Sequence, residues 1–201
     1  MDQRPIRNRF FHDLLDVNDI TDFSRWFFYS GMIFGSSDKW WGKKGDRPSP
    51  HEGLDIGFYI DNHGNRRPFT PAIRIPVMDN GEVYYISEDD FIDSSIFVRH
   101  EYRDSNGWYL YSVYAHCHPH GHIKPGQSIQ YGDSVATLGD PAKRNLKIPA
   151  HLHVSLMFLS IDYPPDMLKW DVLALSYQAR LVDPFGYLDC DYRVEPYTFT
   201  S

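Results

Sequence analysis

Residues 150–158, AHLHVSLMF, alternate as only a strand with two unlike faces would. Side chains on a strand point to opposite faces with a period of two. His151, His153, Ser155 and Met157 then share one face, and Leu152, Val154, Leu156 and Phe158 the other. The second set is apolar enough to be buried, and burial fixes the register, because a one-residue slip would turn every apolar side chain outward. Two imidazoles are thereby held side by side on the open face of a sheet. That suits a metal site or an acid–base pair, where small misplacements are costly. Two surface histidines on a half-exposed strand would leave the same pattern, so the rest of the chain has to decide.

Two further stretches bear on the decision. HEGLD places His51 and Asp55 four residues apart, and imidazole plus carboxylate is a normal zinc ligand pair. Gly53 between them allows a tight loop, so both side chains can converge without a helix. Tyr114-Ala115-His116 closes a predicted strand. An open catalytic zinc site needs three protein ligands and a position for water. His51, Asp55 and one histidine of the His151/His153 pair supply three, and spacing leaves open which one. The other histidine and His116 remain for acid–base or oxyanion work.

The surrounding sequence reads as mainly β. Aromatics make up 16% of the 201 residues, and Gly and Pro number 14 each, which favours short strands and turns over long helices. AIRIPVM and GEVYYIS are expected to pair around Asp79-Asn80-Gly81, and SSIFVRHEYR with GWYLYSVYAH around 104–107. Phe23, Phe27 and Phe28 fall at helical spacing, predicting a short amphipathic helix over 19–30, with residues 1–18 irregular. A second helix is expected near 165–175. GSSDKWWGKKGDRPSP (35–50) is a loop by composition, with Trp40 and Trp41 expected to pack beneath it. The domain reading is an N-terminal extension over 1–30 and one globular unit over 31–201.

Charge and composition exclude several classes. A formal charge of -7 disfavours binding to nucleic-acid phosphates. The two cysteines, Cys117 and Cys190, make no disulfide framework or cysteine zinc pattern, and no bridge between them is expected. The N-terminal residues lack the apolar core of a signal peptide, and no run of about 18 apolar residues marks a membrane span.

Taken in order, HEGLD, YAH and AHLHVSL resemble the motifs of the lysostaphin-like zinc endopeptidases that cleave peptidoglycan peptides. IKPGQSIQYGDSVATLGD resembles that family's hairpin before the His-x-His strand, PVMDNGEV its short strand-turn-strand, and LVDPFGYL its closing segment. Ala150 stands where the family has proline, and the loops at 58–72 and 160–181 are longer. The resemblance implies an antiparallel β-sheet core with a barrel-sandwich-like hairpin and small peripheral helices. It implies His51, Asp55 and His153 as zinc ligands, and His116 and His151 as catalytic histidines that do not bind metal. It also implies a peptidoglycan cross-bridge or stem peptide as substrate, and work at the cell envelope or outside the cell. No leader is visible in this sequence, which leaves a cytoplasmic location open.

A non-catalytic zinc-containing relative that binds the wall or a protein partner is the rival reading. Such relatives typically lose ligands, whereas all five residues stand here. A lipoyl-like carrier is disfavoured because KPGQSIQYGDSV offers no modifiable lysine at a hairpin tip. His118, His120 and His122 read as a solvated loop, since Pro119 and Gly121 break a strand. Cys117 reads as core. Tyr114 shares the face of His116 by alternation, either packed in the core or bonded in the site. His63 and His100 read as surface residues. Glu52 is rejected as a general base, because neither a second histidine nor a helix accompanies it.

Overall fold

The computed structural model describes residues 9–43, 45–88, 93–160, 163, 167–168 and 176–198. Among them lie a helix, α1 (Phe10–Asp16), and thirteen strands. The strands are β1 (Phe23–Tyr29), β2 (Leu54–Ile56), β3 (Phe58–Asp61), β4 (Arg66–Pro68), β5 (Arg74–Pro76), β6 (Gly81–Glu88) and β7 (Ser94–Arg103). They continue with β8 (Tyr109–Pro119), β9 (Ser128–Ile129), β10 (Ser134–Leu138), β11 (Leu152–Leu159), β12 (Ala179–Val182) and β13 (Tyr192–Glu195). The chain is mainly β and mostly antiparallel, as composition and turn spacing predicted. No helix among the described residues is long and apolar enough to cross a membrane.

Two sheets carry the fold. A four-stranded sheet runs β13-β1-β3-β4, with β1 and β13 parallel. A nine-stranded sheet runs β12-β11-β8-β7-β6-β9, with β10 bridging β5 and β8, and β2 on the free flank of β11. Leu152, Val154, Leu156 and Phe158 of β11 enter the main core, as alternation required. On the other face of β11, Met157 and Leu159 join a second apolar cluster with Phe97, Tyr111, Val113, Tyr163 and Leu168. That face is therefore covered at one end, and His151, His153 and Ser155 at the other end are buried too. The expected open face is instead the wall of a pocket.

Several expectations fail. The helix over 19–30 is absent; residues 23–29 form β1, hydrogen-bonded to β3 and β13. Trp26, Phe27 and Phe28 are buried in succession, which needs cover on both faces of a strand and cannot come from one helical stripe. The helix lies earlier, in the stretch read as irregular. There Phe10, Phe11, Leu14 and Leu15 make a genuine apolar stripe that is buried. The second failure is the hairpin around Asp79–Gly81. β5 pairs with β10, and β6 pairs with β7 and β9, so the two strands part at the turn. β9 and β10 likewise take different partners instead of forming a hairpin with each other. The β7–β8 hairpin forms as expected. Most of the segment expected to be helical at 165–175 lies outside the described residues.

Candidate metal and catalytic site

Register builds the centre of the site. His153 on β11 sits opposite Asp55 on β2 and, across its other flank, opposite Ala115 on β8. His51 arrives on the loop before β2, pinned by backbone hydrogen bonds to Gly35 and Ser36. Gly53 lets this loop lie against β11: a Cβ there would stand 2.3 Å from the Val154 carbonyl oxygen and 2.5 Å from Ser155 Oγ. His51 Nε2, Asp55 Oδ1 and His153 Nδ1 then converge, with separations of 3.1, 3.1 and 2.9 Å.

The far sides of both rings decide what the near sides present. His51 Nδ1 lies 3.2 Å from the Ile33 carbonyl oxygen, which can only accept, so Nδ1 carries the proton. Ser155 Oγ donates to the Glu52 carbonyl at 3.0 Å and so accepts from His153 Nε2 at 2.9 Å. In neutral rings the inward atoms, Nε2 of His51 and Nδ1 of His153, are therefore bare lone pairs. They face each other and the Asp55 carboxylate. Three acceptors at such distances need positive charge among them, either a proton on an imidazole or a metal ion. The three residues form a group whose ligand atoms all lie within 4.8 Å of one another, and they could hold a metal. Burial disfavours charge on Asp55, but the neighbouring His51 and His151 and bonding with His153 and His51 hold its carboxyl well below the usual range.

His151 and His116 flank this cluster. His151 Nδ1 donates to the Pro149 carbonyl at 2.8 Å, which leaves Nε2 unprotonated and 3.9 Å from Asp55 Oδ1. Burial lowers its pKa, against the pull of Asp55 and the Pro149 carbonyl. His116 reaches the site through a bulge. Ser94 pairs with Cys117 and Ile96 with Tyr114, so β8 carries one residue more than β7. His116 takes up that residue in the left-handed region, at φ 61°. Bulges of this kind re-aim a side chain beside active sites. The His116 ring ends 4.9 Å from the ring centre of His151 and 5.8 Å from that of His153. Burial and the three neighbouring histidines push its pKa well below the usual value. Both flanking rings are thus neutral near pH 7.

The bulge also decides between the two readings of Tyr114, in favour of the core. Alternation put it on the face of His116, but the extra residue turns Tyr114 into the main core, where Met78 N–H donates to its hydroxyl. Cys117 is buried in the core as expected, and both cysteines are free. His63 is exposed as expected. His100, read as a surface residue, is buried; its Nδ1 bonds the Asn80 carbonyl and its Nε2 bonds Ser112 Oγ. His118 is exposed, although β8 runs on through Pro119. His120 and His122 stack on each other, and no metal-holding group of three includes them among the described residues.

Two contributors lie in the loop at 35–50. Trp40 is buried, as expected of it, and its indole Nε1 donates to Asp55 Oδ2 at 2.6 Å. Arg47 Nη2 donates to the same oxygen at 3.2 Å. Arg47 carries no signal in the sequence; Trp40 carried one, as a large aromatic in a polar loop. Trp41 is half-buried and lines the pocket. That pocket, about 340 Å³, is lined by Asp55, His116, His151 and His153 together with Trp41, Arg47 and Ile148.

No family model and no curated protein sequence matches the chain. Solved structures do resemble it. CbpA from L. salivarius REN superposes with a TM-score of 0.47 at 18% identity, over 80% of this chain and 86% of that one. The solution structure of lysostaphin gives 0.44 at 14%, over 78% and 53%. A zinc containing peptidase from Vibrio cholerae gives 0.38 at 19%, over 68% and 37%. The likeness is one of fold. The chain spans about half of lysostaphin and just over a third of the Vibrio protein.

Proposed function

We propose that the protein is a zinc-dependent endopeptidase of the lysostaphin-like type. In this reading it hydrolyses peptide bonds in peptidoglycan cross-bridges or stem peptides, at the cell envelope or outside the cell. The observation that carries the reading is the trio of inward-facing acceptors, His51 Nε2, Asp55 Oδ1 and His153 Nδ1. A tetrahedral ion with bonds of about 2.0–2.1 Å spaces its ligand atoms by ~3.3 Å, close to the separations here. The donor set of two imidazoles and a carboxylate suits zinc and leaves a fourth position for water or substrate. Zinc held by these atoms would act as a Lewis acid on a scissile carbonyl and make water a nucleophile near pH 7.

The chain's own groups supply the rest. His151 Nε2, unprotonated and fixed by the Pro149 carbonyl, is placed to take a proton at the site. His116, neutral and packed against His151, is placed to bond a developing oxyanion or pass a proton to the leaving amine. Trp41 and Ile148 give the substrate apolar walls. Incubation with purified peptidoglycan, with fragment masses read by mass spectrometry, tests the proposal. Release of peptide fragments that a chelator abolishes is expected; intact peptidoglycan from zinc-loaded protein would refute endopeptidase activity and leave a binding role.

A further inference from the structure

The two oxygens of Asp55 are used differently. Oδ1 faces the imidazoles, while Oδ2 accepts from Trp40 Nε1 at 2.6 Å and Arg47 Nη2 at 3.2 Å. Neither donor comes from β2, which carries Asp55. Both come from the loop at 35–50, whose arms are joined by Lys39 N–H to the Gly45 carbonyl and Arg47 N–H to the Ser37 carbonyl. The guanidinium is itself immobilised. Nη2 also donates to the Gly31 carbonyl at 2.9 Å and Nε to the Asp38 carbonyl at 3.2 Å. Its face lies 4.6 Å from the ring of Trp41, which walls the pocket.

We propose that Arg47 is a positioning residue: with Trp40 it commits Asp55 Oδ2, so that the carboxylate offers the donor cluster a single oxygen, and it ties that carboxylate to the Trp41 wall of the pocket. The inference rests on the metal-site reading above. A carboxylate with both oxygens free could swing to grip an ion through both and fill the position that water or substrate needs. Here Oδ2 cannot turn without breaking two charge-assisted or buried hydrogen bonds. Partners of this kind, which orient a ligand from outside the metal's own contacts, typically matter 10- to 100-fold in metal affinity. A plain loop tether would need only the two backbone carbonyls, and the third bond of the guanidinium to Asp55 would be incidental.

Zinc affinity distinguishes these roles without relying on turnover. The full chain is titrated with zinc against a chromophoric chelator, and metal-free melting is followed in parallel. Arg47→Gln should bind zinc about 10- to 100-fold more weakly than the parent. Arg47→Lys should recover part of that loss by restoring a cation near Oδ2, and Trp40→Phe should lose less than Arg47→Gln. Arg74→Gln, exposed on β5 and outside the pocket lining, should match the parent. Parental zinc affinity in Arg47→Gln, whatever its melting temperature, overturns the inference and leaves a loop tether. Should that variant not fold, parental affinity in both Arg47→Lys and Trp40→Phe overturns it equally. A parent that takes up no zinc overturns the metal-site reading and the inference together, whereas a zinc-binding parent with unaffected variants overturns the inference alone.

Discussion

His153 Nδ1 and Asp55 Oδ1 stand 2.9 Å apart although 98 residues separate them in sequence. Strand pairing brings them together: His153 is the residue opposite Asp55 in the β2–β11 ladder. Position in the site is thus set by backbone register and does not depend on two long side chains finding each other. Strand register tolerates no one-residue slip, which makes the loop before β2 a sensitive point.

Gly53 lies on that loop, and its missing side chain is what lets the loop close. A Cβ would meet the Val154 carbonyl oxygen at 2.3 Å, Ser155 Oγ at 2.5 Å and His153 Nε2 at 2.9 Å. Backbone cannot move aside cheaply, so Gly53→Ala should destabilise by about 1–3 kcal/mol or more. It should also weaken zinc binding by displacing His51 or His153. Thermal melts with and without zinc check both. A variant that melts with the parent and keeps its metal would show that the loop has room to spare.

The five residues singled out in the sequence do meet in space, although only His151 and His153 belong to a stretch whose alternation was plain. The alternation of 150–158 gave both the buried face of β11 and the side carrying His151 and His153. Two things stayed hidden. One is cover from distant chain: nothing local tells that Phe23–Tyr29 has strand partners on both sides, so its aromatic spacing read as a helix. The other is a break in periodicity. The bulge at His116 turns Tyr114 to the core, and a period-two count cannot see an inserted residue. Arg47 is a third kind of case, since a loop arginine acquires its role only from the carbonyls and carboxylate that the fold places around it.

His100 supplies a pH-dependent test away from the candidate metal site. Burial lowers its pKa from the ordinary value of 6.5, opposed by the Asn80 carbonyl and the Asp79 carboxylate. The folded chain therefore keeps His100 neutral where the unfolded chain protonates it. Above pH 6.5 neither state binds the proton, and stability is full. As pH falls below 6.5 the unfolded state gains a proton first, and stability declines by up to about 1.4 kcal/mol per pH unit until the folded pKa is reached. In His100→Gln this contribution disappears. Urea midpoints between pH 7.5 and 5.5 should fall less steeply for the variant than for the parent. Equal slopes would mean that His100 titrates alike in the folded and unfolded chain, so that burial does not hold it neutral.

The helix at the N-terminus is part of the core. Phe11 is fully buried and packs its ring against Trp26 of β1, Phe10 and Phe185. Phe11→Ala should cost about 3–5 kcal/mol, a large share of the stability of a domain this size. Deleting residues 1–18 removes four buried side chains, Phe10, Phe11, Leu14 and Leu15, and should leave a chain that melts far below the parent or does not fold. Circular dichroism melts check it. A truncated chain that melts with the parent would show that α1 is dispensable cover.

The last test separates the two histidines of the central strand. They sit two residues apart on one face, yet their rings are anchored differently. His153 is held at Nε2 by Ser155, which turns Nδ1 into the cluster with His51 and Asp55. His151 is held at Nδ1 by the Pro149 carbonyl, and its Nε2 stays 3.9 Å from Asp55 Oδ1, at the edge of the cluster. His153→Ala should lose the single zinc expected per chain and all turnover. His151→Ala should keep zinc and lose about 10²–10⁴-fold in rate, the range for a group moving a proton. His116→Ala should behave as His151→Ala does, and the double variant should be little worse than either, since the two rings are in contact and neutral together. Zinc content by elemental analysis and rate on peptidoglycan, measured side by side, decide the matter. Zinc kept in His153→Ala and lost in His151→Ala would reverse the assignment. Full activity in His151→Ala would remove it from the proton path and leave His116 as the base.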